Sequence, residues 1–581
     1  MLNNIAFDIE TDGIDPYRGA RAFAYSICNK QGNIIVSREP KNIQNLFAKS
    51  DTALICHNYH FEYAVLKEQG FTKLDTVQWH DTMIMHQLLF NIAPSHALDA
   101  VANELCKDLK CRRRWKEIDD QITKAAKIYK TYDKIPADLM TEYQHNDVER
   151  TMLIFQSLYP IIEKDKSLLR CYQDEIDLVR VVIPLEKRGI MVCKSEAEKL
   201  LVWIKAELEK VGREINSMYK DYINLNSTKQ LTNLLFNILA LPSIAQTKKG
   251  NDAVDDSVLE ELSQQYQNNE KIKKTLDLVI RSRAFTKGKA MVSSYIEESD
   301  ENGIIHPHIN TNKARTGRIS CTKPNLLNIS REIAPNTKYP IPARKCFRAR
   351  PGYFLLAADY AGQEIRLLAE LSQEKEMIEL ITKNGDPHAL AASIFYGKKY
   401  IKGDKLKRTA AKNMQFGLAY GAGVATIALG LGLTVEEAEP GFNAYRKRFP
   451  KIANFAISSL TEAKNKGFIT TSFGVKRYIQ RDHLIAAGNA KIQSTGAGMI
   501  KRAQIGCHQF LEAWFPDIHI WLQIYDELIF EVHRRYINRL EHITKPLAEI
   551  MTTIPEITVP LAVEWKMSTY LWSQLKEVKN V

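Results

Sequence analysis

The hydrophobic pattern of this 581-residue chain changes character several times along its length. From residue 1 to about 170, short apolar runs (Asn4–Ile9, Thr52–Cys56) alternate with helical stretches, as in an α/β domain. A helical region follows, in which Leu200, Ile204, Leu208, Val211 and Ile215 fall on one helix face. It runs to about residue 300 and is rich in Lys and polar side chains. From about 305 onward strands and helices mix again. No repeat and no low-complexity linker marks the joints, so boundaries rest on pattern alone.

Composition modifies this picture only slightly. The chain is 45% apolar and 25% charged, which suits a folded soluble protein and excludes a disordered one. Lys and Arg number 80 against 68 Asp and Glu, a net charge of +12 that suits a polyanionic partner without requiring one. Two basic stretches, 246–251 and 281–289, read on charge alone as solvated helix surface. The nine Cys show no CxxC pair and no zinc spacing. Cys106 and Cys111 are the nearest two and lack a second pair, so reduced thiols are expected. No apolar stretch approaches the roughly 18 residues that span a bilayer. The opening MLNNIAFDIETDG has neither a secretory nor an import pattern, so a cytoplasmic protein is expected.

Candidate chemistry begins in that opening segment. NNIAFDIET reads as a strand, and residues two apart on a strand share a face, so Asp8 and Glu10 project together. An isolated pair of this kind is ordinarily a solvated strand end. Two further segments change the reading. CHNYHFEYAVL carries Asn58 and Glu62 after an apolar run, and YQHNDVERTMLIF carries Tyr143 and Asp147 four apart on one helix face. Four carboxylates with a Tyr make a two-metal phosphodiester hydrolase, in which Tyr143 orients the attacking water.

Three segments of the second half carry a separate constellation. In GYFLLAADYAGQEIRLLAEL, a strand from Tyr353 to Ala358 delivers Asp359, with Glu364 and Arg366 in the next two turns. In RTAAKNMQFGLAYG, Arg408, Lys412 and Phe416 are spaced by four along one helix face, with Tyr420 a turn further on. Two cations and an aromatic in that order suit a triphosphate and the group attached to it. In WLQIYDELIFEV, two apolar runs flank Tyr525, Asp526 and Glu527, a hairpin with acids at its tip. Each segment alone is an ordinary strand, helix or turn. Together they supply nucleotidyl transfer: Asp359 and Asp526 would bridge two Mg²⁺ about 3.5–4 Å apart, while Arg408 and Lys412 neutralise the triphosphate.

The first set, over roughly residues 1–160, resembles the Tyr-containing subclass of DEDD 3′→5′ exonucleases. It departs from that family at Glu62, where Asp is more usual. Asp81 resembles a supporting acid of these domains, and a helix N-terminal acid accounts for it nearly as well. The second set resembles motifs A, B and C of family A (polymerase I-like) DNA polymerases. Thr316–Ser320 and Pro324–Ile329 resemble the segment that contacts primer and template, with Arg318, Asn325 and Asn328 as its DNA-binding side chains. GDPHAL, with His388, resembles a triphosphate-side element of the fingers. Asn489 and Gln493 resemble residues that touch the minor groove, and Glu186–Val192 the lead into the thumb.

The resemblance implies an α/β multidomain fold: an RNase H-like exonuclease domain (1–170), thumb and connecting helices (171–304), palm (305–375), fingers (376–475) and second palm part (476–581). The palm sheet would be antiparallel. It further implies Asp359 and Asp526 as metal ligands with Glu527 close by, and Lys412 as a catalytic and triphosphate-binding cation. Glu364 would be the steric gate against ribonucleotides. Phe416 would discriminate against dideoxynucleotides, because it lacks a hydroxyl to replace the missing 3′-OH. Tyr420 would pack beside the templating base, and Arg318 would check pair shape in the minor groove. Cofactors would be two Mg²⁺ in each site, with Mn²⁺ as a substitute. Partners would be primer–template DNA and dNTPs, with room for a helicase, primase or processivity factor, and the chain would be a monomer free of membranes. Gly362, Tyr525 and Ile485 stand where bacterial members usually carry Gln, His and Arg. With the compact length and the expected lack of a 5′ nuclease, they suggest a phage- or plasmid-type replicative enzyme, working in the bacterial cytoplasm or a phage-infected cell.

Three other readings were weighed. An exonuclease with a DNA-holding module should have lost Asp359, Lys412 or Asp526, and all three are present. An architectural DNA-binding protein has no use for two sets of acids. Against an RNA polymerase or reverse transcriptase, Glu364 opposes ribonucleotide use, while RNA templates stay open.

Overall fold

The computed structural model describes residues 3–48, 51–106, 112–220, 222–247, 250–329 and 338–578. Cys111 and both lysines of the 246–251 stretch therefore lie outside the described residues.

The N-terminal half-sheet is mixed, as an RNase H-like domain requires. Its central strand, Asn3–Thr11, pairs antiparallel with Ala22–Asn29 and parallel with Thr52–Cys56. The outer strands Ile34–Ser37 and Gln78–Asp81 complete the order of five. Phe7 leaves this central strand into an aromatic nest of Phe47 and Trp79, against which Tyr59 and Tyr63 also pack. The long helix Ala137–Lys164 lies over the sheet and carries Tyr143 and Asp147.

Asp165 starts the next helix, Lys166–Arg188, by accepting hydrogen bonds from the Ser167 and Leu168 amides. This helix is continuous across the expected joint at residue 170 and packs on both halves of the molecule. Near its end sits Glu186, a buried carboxylate shared by the two halves. It accepts from Tyr17 Oη at 3.0 Å and lies 2.8 Å from His60 Nε2, both in the first domain. It also accepts from the Ile309 amide of the second half at 2.6 Å. A buried acid with this many partners is satisfied only when both halves are docked.

Two long helices follow, Lys194–Tyr219 and Glu270–Glu297, packed along each other. Leu200 and Ile204 join the main core, but Val211 and Ile215 belong to a second hydrophobic cluster with Leu231, Leu234, Leu276 and Val279. The basic stretch 281–289 lies on the second helix. There Arg283 and Lys287 both pair with Asp256, and Arg281 pairs with Glu207.

The second sheet is antiparallel throughout. Its order is Ile518–Ile524, Glu527–His533, Tyr353–Tyr360, Val563–Ser568 and Lys576–Glu577. Tyr353–Tyr360 is the central strand, and its Phe354–Ala358 run is wholly buried, as its unbroken apolar sequence demands. Between its two halves in sequence, the helices Pro387–Tyr396, Lys405–Ala419, Val424–Leu431 and Val435–Arg448 form a separate layer. The helix Ala487–Trp514 returns the chain to the sheet. Among the described residues no helix is long and apolar enough to cross a membrane, and the eight cysteines there are all buried.

Candidate active sites

The strand Asn3–Thr11 presents Asp8 and Glu10 to the helix that carries Asp147. One carboxylate oxygen from each falls within 4.8 Å of the others. Glu62, in the first turn of the helix Tyr59–Glu68, is buried beside them, and its charge acts on Glu10. Burial raises the pKa of all four acids, and their mutual repulsion adds to it: Asp147 acts on Asp8, and Asp8 on Glu10 and Glu62. Asp147 is pushed up to about 7 by burial, held back by Arg150. Tyr143, one turn before Asp147, hydrogen-bonds to it, and the Asp147 charge followed by burial raises the phenol pKa.

Two buried oxygens of this cluster, Asp8 Oδ2 and Glu62 Oε2, have no hydrogen-bond partner. Unpaired buried carboxylate oxygens are costly, and an all-oxygen donor set is what a hard divalent cation takes. Asp8, Glu10 and Asp147 therefore fit a divalent cation such as Mg²⁺ or Mn²⁺, and Glu62 stands beside them without joining the tight group. Behind them Arg150 Nη1 donates to Asp147 Oδ1 at 3.2 Å and, with Nη2, grips Asp119 at 3.1 and 2.7 Å. Asp81 has a different job. It caps the helix Thr82–Leu89, accepting from the Met83 and Ile84 amides, and also accepts from Tyr59 N at 2.7 Å. The helix-terminal reading of Asp81 is thus the one its hydrogen bonds describe.

The second acid cluster stands at one end of the antiparallel sheet. Asp359 lies directly opposite Glu527 on one neighbouring strand and Glu564 on the other. Tyr525 and Asp526 form the two-residue loop between Ile518–Ile524 and Glu527–His533, with Tyr525 at φ +53°. The hairpin does not expose all three residues. Tyr525 is 48% exposed while Glu527 is only 2% exposed, because Glu527 is already the first residue of its strand, paired directly opposite Asp359. Among the described residues these acids do not form a group as tight as the N-terminal one. Their oxygen donors fit the same class of cation.

The helix Lys405–Ala419 carries Arg408, Lys412 and Phe416, with Tyr420 as its C-cap. Arg408 grips Asp386 through two hydrogen bonds of 2.7 and 3.1 Å, and Asp386 in turn caps the helix of His388. That salt bridge raises the Arg408 pKa, and the charges of Tyr400 and Glu564 add smaller contributions. Lys412 is exposed. His388 Nδ1 donates to Gln415 Oε1 at 2.6 Å, and burial lowers its pKa to about 4, leaving the ring neutral. Phe416 lies between His388 and Tyr420, with ring centroids at 6.1 and 6.5 Å. Burial raises the Tyr420 pKa, helped by the charge of Glu364, which starts the helix Gln363–Ser372 after the left-handed Gly362.

The remaining polar side chains surround the hairpin. Arg318 lies over the Tyr525 ring at 5.3 Å, and Tyr525 Oη donates to Asn328 Oδ1 at 3.1 Å. Asn325 accepts from the Leu327 amide after the cis Lys323–Pro324 peptide. Gln493 Nε2 donates to Asn489 Oδ1 at 2.8 Å on the helix Ala487–Trp514. Arg318, Leu327, Gln363, Gln523 and Tyr525 line one cleft next to the acids.

Comparison with known proteins decides the family. A profile of DNA polymerase family A matches residues 194–574, and a 3′-5′ exonuclease profile matches residues 1–163. The chain belongs to DNA polymerase family A. It is 28% identical over 508 residues to DNA polymerase I of Pseudomonas aeruginosa, covering 84% of this chain and 52% of that one. It is 27% identical over 575 residues to DNA polymerase I of Borreliella burgdorferi, covering 95% of this chain and 60% of that one. The chain thus spans about half the length of the curated relatives it matches. A solved structure, the POL domain of Pol1 from M. smegmatis in complex with DNA primer-template and dNTP, is 25% identical with a TM-score of 0.80. It covers 99% of this chain and 97% of that one.

Three residues of this family A chain escaped the sequence reading. Arg150 and Glu564 each brace or flank an acid already identified. Lys566 places Nζ 2.6 Å from Asp359 Oδ2 and 3.8 Å from Glu527 Oε1. The alternation in VEWKMS hints at a strand with Glu564 and Lys566 on one face. Nothing in that pattern says which strand it joins.

Proposed function

We propose that the chain is a template-directed DNA polymerase that adds deoxynucleotides to a primer 3′ end, and that its first domain removes mispaired 3′ ends. One juxtaposition supports this most. Asp359, Asp526 and Glu527 stand together at the sheet end, and the helix of Arg408, Lys412 and Phe416 lies close enough for Arg408 to respond to Glu564.

Divalent ions held by Asp359 and Asp526, and in the first domain by Asp8, Glu10, Glu62 and Asp147, would supply Lewis acidity to the attacking oxygen and the leaving group. The chain's own residues do the rest. Arg408 and Lys412 hold the triphosphate, Arg408 exchanging Asp386 for phosphate oxygens. Phe416, braced by His388 and Tyr420, forms a flat apolar wall against the sugar and base. Glu364 crowds the sugar 2′ position. Arg318, Asn489 and Gln493 face the minor groove, where acceptors are nearly the same for every correct pair. Arg283, Lys287 and Lys338 line a groove that ends at Asn328 and suits duplex phosphates. In the first domain Tyr143, hydrogen-bonded to Asp147, orients the hydrolytic water. A frayed, mispaired end spends longer single-stranded and so reaches that site more often. Gly362, Tyr525 and Ile485 support a replicative, phage- or plasmid-like role, although the relatives compared are bacterial.

The test is primer extension in Mg²⁺ on a 5′-labelled primer–template, with and without dNTPs. Extension with dNTPs and 3′ trimming without them is expected. Trimming without any extension by the wild type would leave an exonuclease with a DNA-holding module.

A further inference from the structure

Lys566 stands where the polymerase reading puts positive charge that arrives from outside. Its strand, Val563–Ser568, borders the central strand so that Asp359 faces Glu564 and Ala357 faces Lys566. Side chains two apart on a strand share a face, and so do directly opposed ones, so Asp359, Glu527, Glu564 and Lys566 lie on one side of the sheet. Ala357 is small, which leaves the lysine stem free to lean diagonally onto Asp359. Its ammonium bridges Asp359 and Glu527 at 2.6 and 3.8 Å, and the lysine side chain is 16% exposed.

Among the described residues the N-terminal cluster has no lysine in such a place. Arg150 lies behind Asp147 and is divided between Asp147 and Asp119, while Asp8 and Glu62 keep unpartnered buried oxygens. The only cation bonded to the first set among these residues is thus shared with an outside acid, whereas the ammonium of the second bridges two of its own acids.

We propose that Lys566 is a resident counter-charge of the polymerase acids, which keeps divalent ions from settling there until a nucleotide triphosphate arrives with them. This rests on the polymerase reading above. With the nucleotide absent, the ammonium neutralises part of the repulsion between Asp359 and Glu527 and lowers the attraction for a second cation. The triphosphate brings several negative charges, and the balance then favours divalent ions. The flexible four-carbon stem lets the ammonium withdraw toward exposed Glu564 or the phosphates. Metal loading is thereby coupled to substrate binding, and the empty site does not fill with a stray ion.

The test uses the full chain in an Asp8→Ala background, so that the first domain contributes little metal binding. Free Mn²⁺ is followed by electron paramagnetic resonance without DNA or nucleotide, and the signal of an added Asp359→Ala change is subtracted to isolate the polymerase site. Lys566→Met is expected to bind Mn²⁺ about tenfold more tightly than its parent, the discounted effect of one partly shielded charge. Lys566→Arg should stay close to the parent. Adding a dNTP should shrink the difference between Met and Lys. Unchanged or weaker Mn²⁺ binding by Lys566→Met would overturn the proposal. Thermal melting confirms that each variant is folded, and Lys566→Gln serves if the Met variant is not. Primer extension by the wild type is run alongside. Normal extension with unchanged affinity sinks the counter-charge alone, whereas a tenfold change without extension sinks the polymerase reading and, with it, the coupling of metal loading to the nucleotide.

Discussion

In the N-terminal cluster, three buried carboxylates and the half-buried Asp8 include two unpartnered buried oxygens, whereas in the second cluster an ammonium stands among the acids. Both sets sit at strand ends and both suit the same hard cations. They differ in what happens before the cation comes. Burial and crowding raise the pKa of every acid in the first set, with Asp147 raised to about 7. The second is kept together by Lys566 and by the pairing of its strands. The lesson is that two sites with the same ligand chemistry can be set up differently before a cation comes, by burial and crowding that raise the acids' pKa in one and by a neighbouring ammonium in the other.

The sharpest way to break this comparison is to remove one acid from each site. Asp359→Ala should lower extension by about a thousandfold or more while leaving trimming intact, and Asp8→Ala should do the reverse. Gel assays of both activities on both variants check it. Loss of both activities from either change would mean that the sites are not independent.

A smaller effect separates the supports. Arg150→Ala leaves Asp119 and Asp147 without their shared cation in a buried setting and should destabilise the first domain by about 3 kcal/mol. Denaturant unfolding reads this. Polymerase extension should be little changed, since Arg150 touches nothing in the palm.

Phe416→Tyr sharpens the palm side. A phenol hydroxyl at that position can bond to a phosphate oxygen in place of a missing 3′-OH. Dideoxynucleotide incorporation should therefore rise about tenfold or more, with trimming unaffected. Competition between ddNTP and dNTP in a single-nucleotide assay measures it.

The smallest expected effect concerns pH. A carboxyl whose folded pKa is raised favours the folded state at low pH, and that contribution is lost as pH rises through the folded value. For Asp147 this window runs from about 4 in the unfolded chain to about 7 in the folded one. In EDTA, Asp147→Asn should therefore gain melting temperature relative to wild type between pH 5 and pH 8, by a few degrees. Mg²⁺ should reduce the difference by stabilising the wild-type carboxylate. A gap that does not widen with pH would contradict the burial argument.

Much of this was legible in the chain because chemistry and periodicity coincide. Asp8 and Glu10, Tyr143 and Asp147, and Arg408, Lys412 and Phe416 each share a single element, so spacing alone aligns them. Asp359 was readable because an unbroken apolar run marks a central strand. What could not be read depends on pairing between distant strands. Lys566 meets Asp359 across 207 residues, and Glu186 meets Ile309 and His60 across 123 and 126. Glu527 was expected at an exposed tip, and only the register against Asp359 turns it inward. Asp81 was ambiguous until its four backbone donors identified it as a cap.

The two long helices between the halves have a consequence of their own. Their outer end is held by a cluster separate from the main core, so it can tilt as a solid piece without prising the palm apart. The helix Glu270–Glu297 has 28 residues and is about 42 Å long. Phe285, Val292 and Tyr295 anchor its second half in the main core, so the part that extends beyond that root, from Glu270 to about residue 284, is roughly 22 Å long. A rocking motion of about ten degrees there would carry the far end roughly 4 Å, so that a slight shift beside Leu200 is amplified toward the tip of the helix pair.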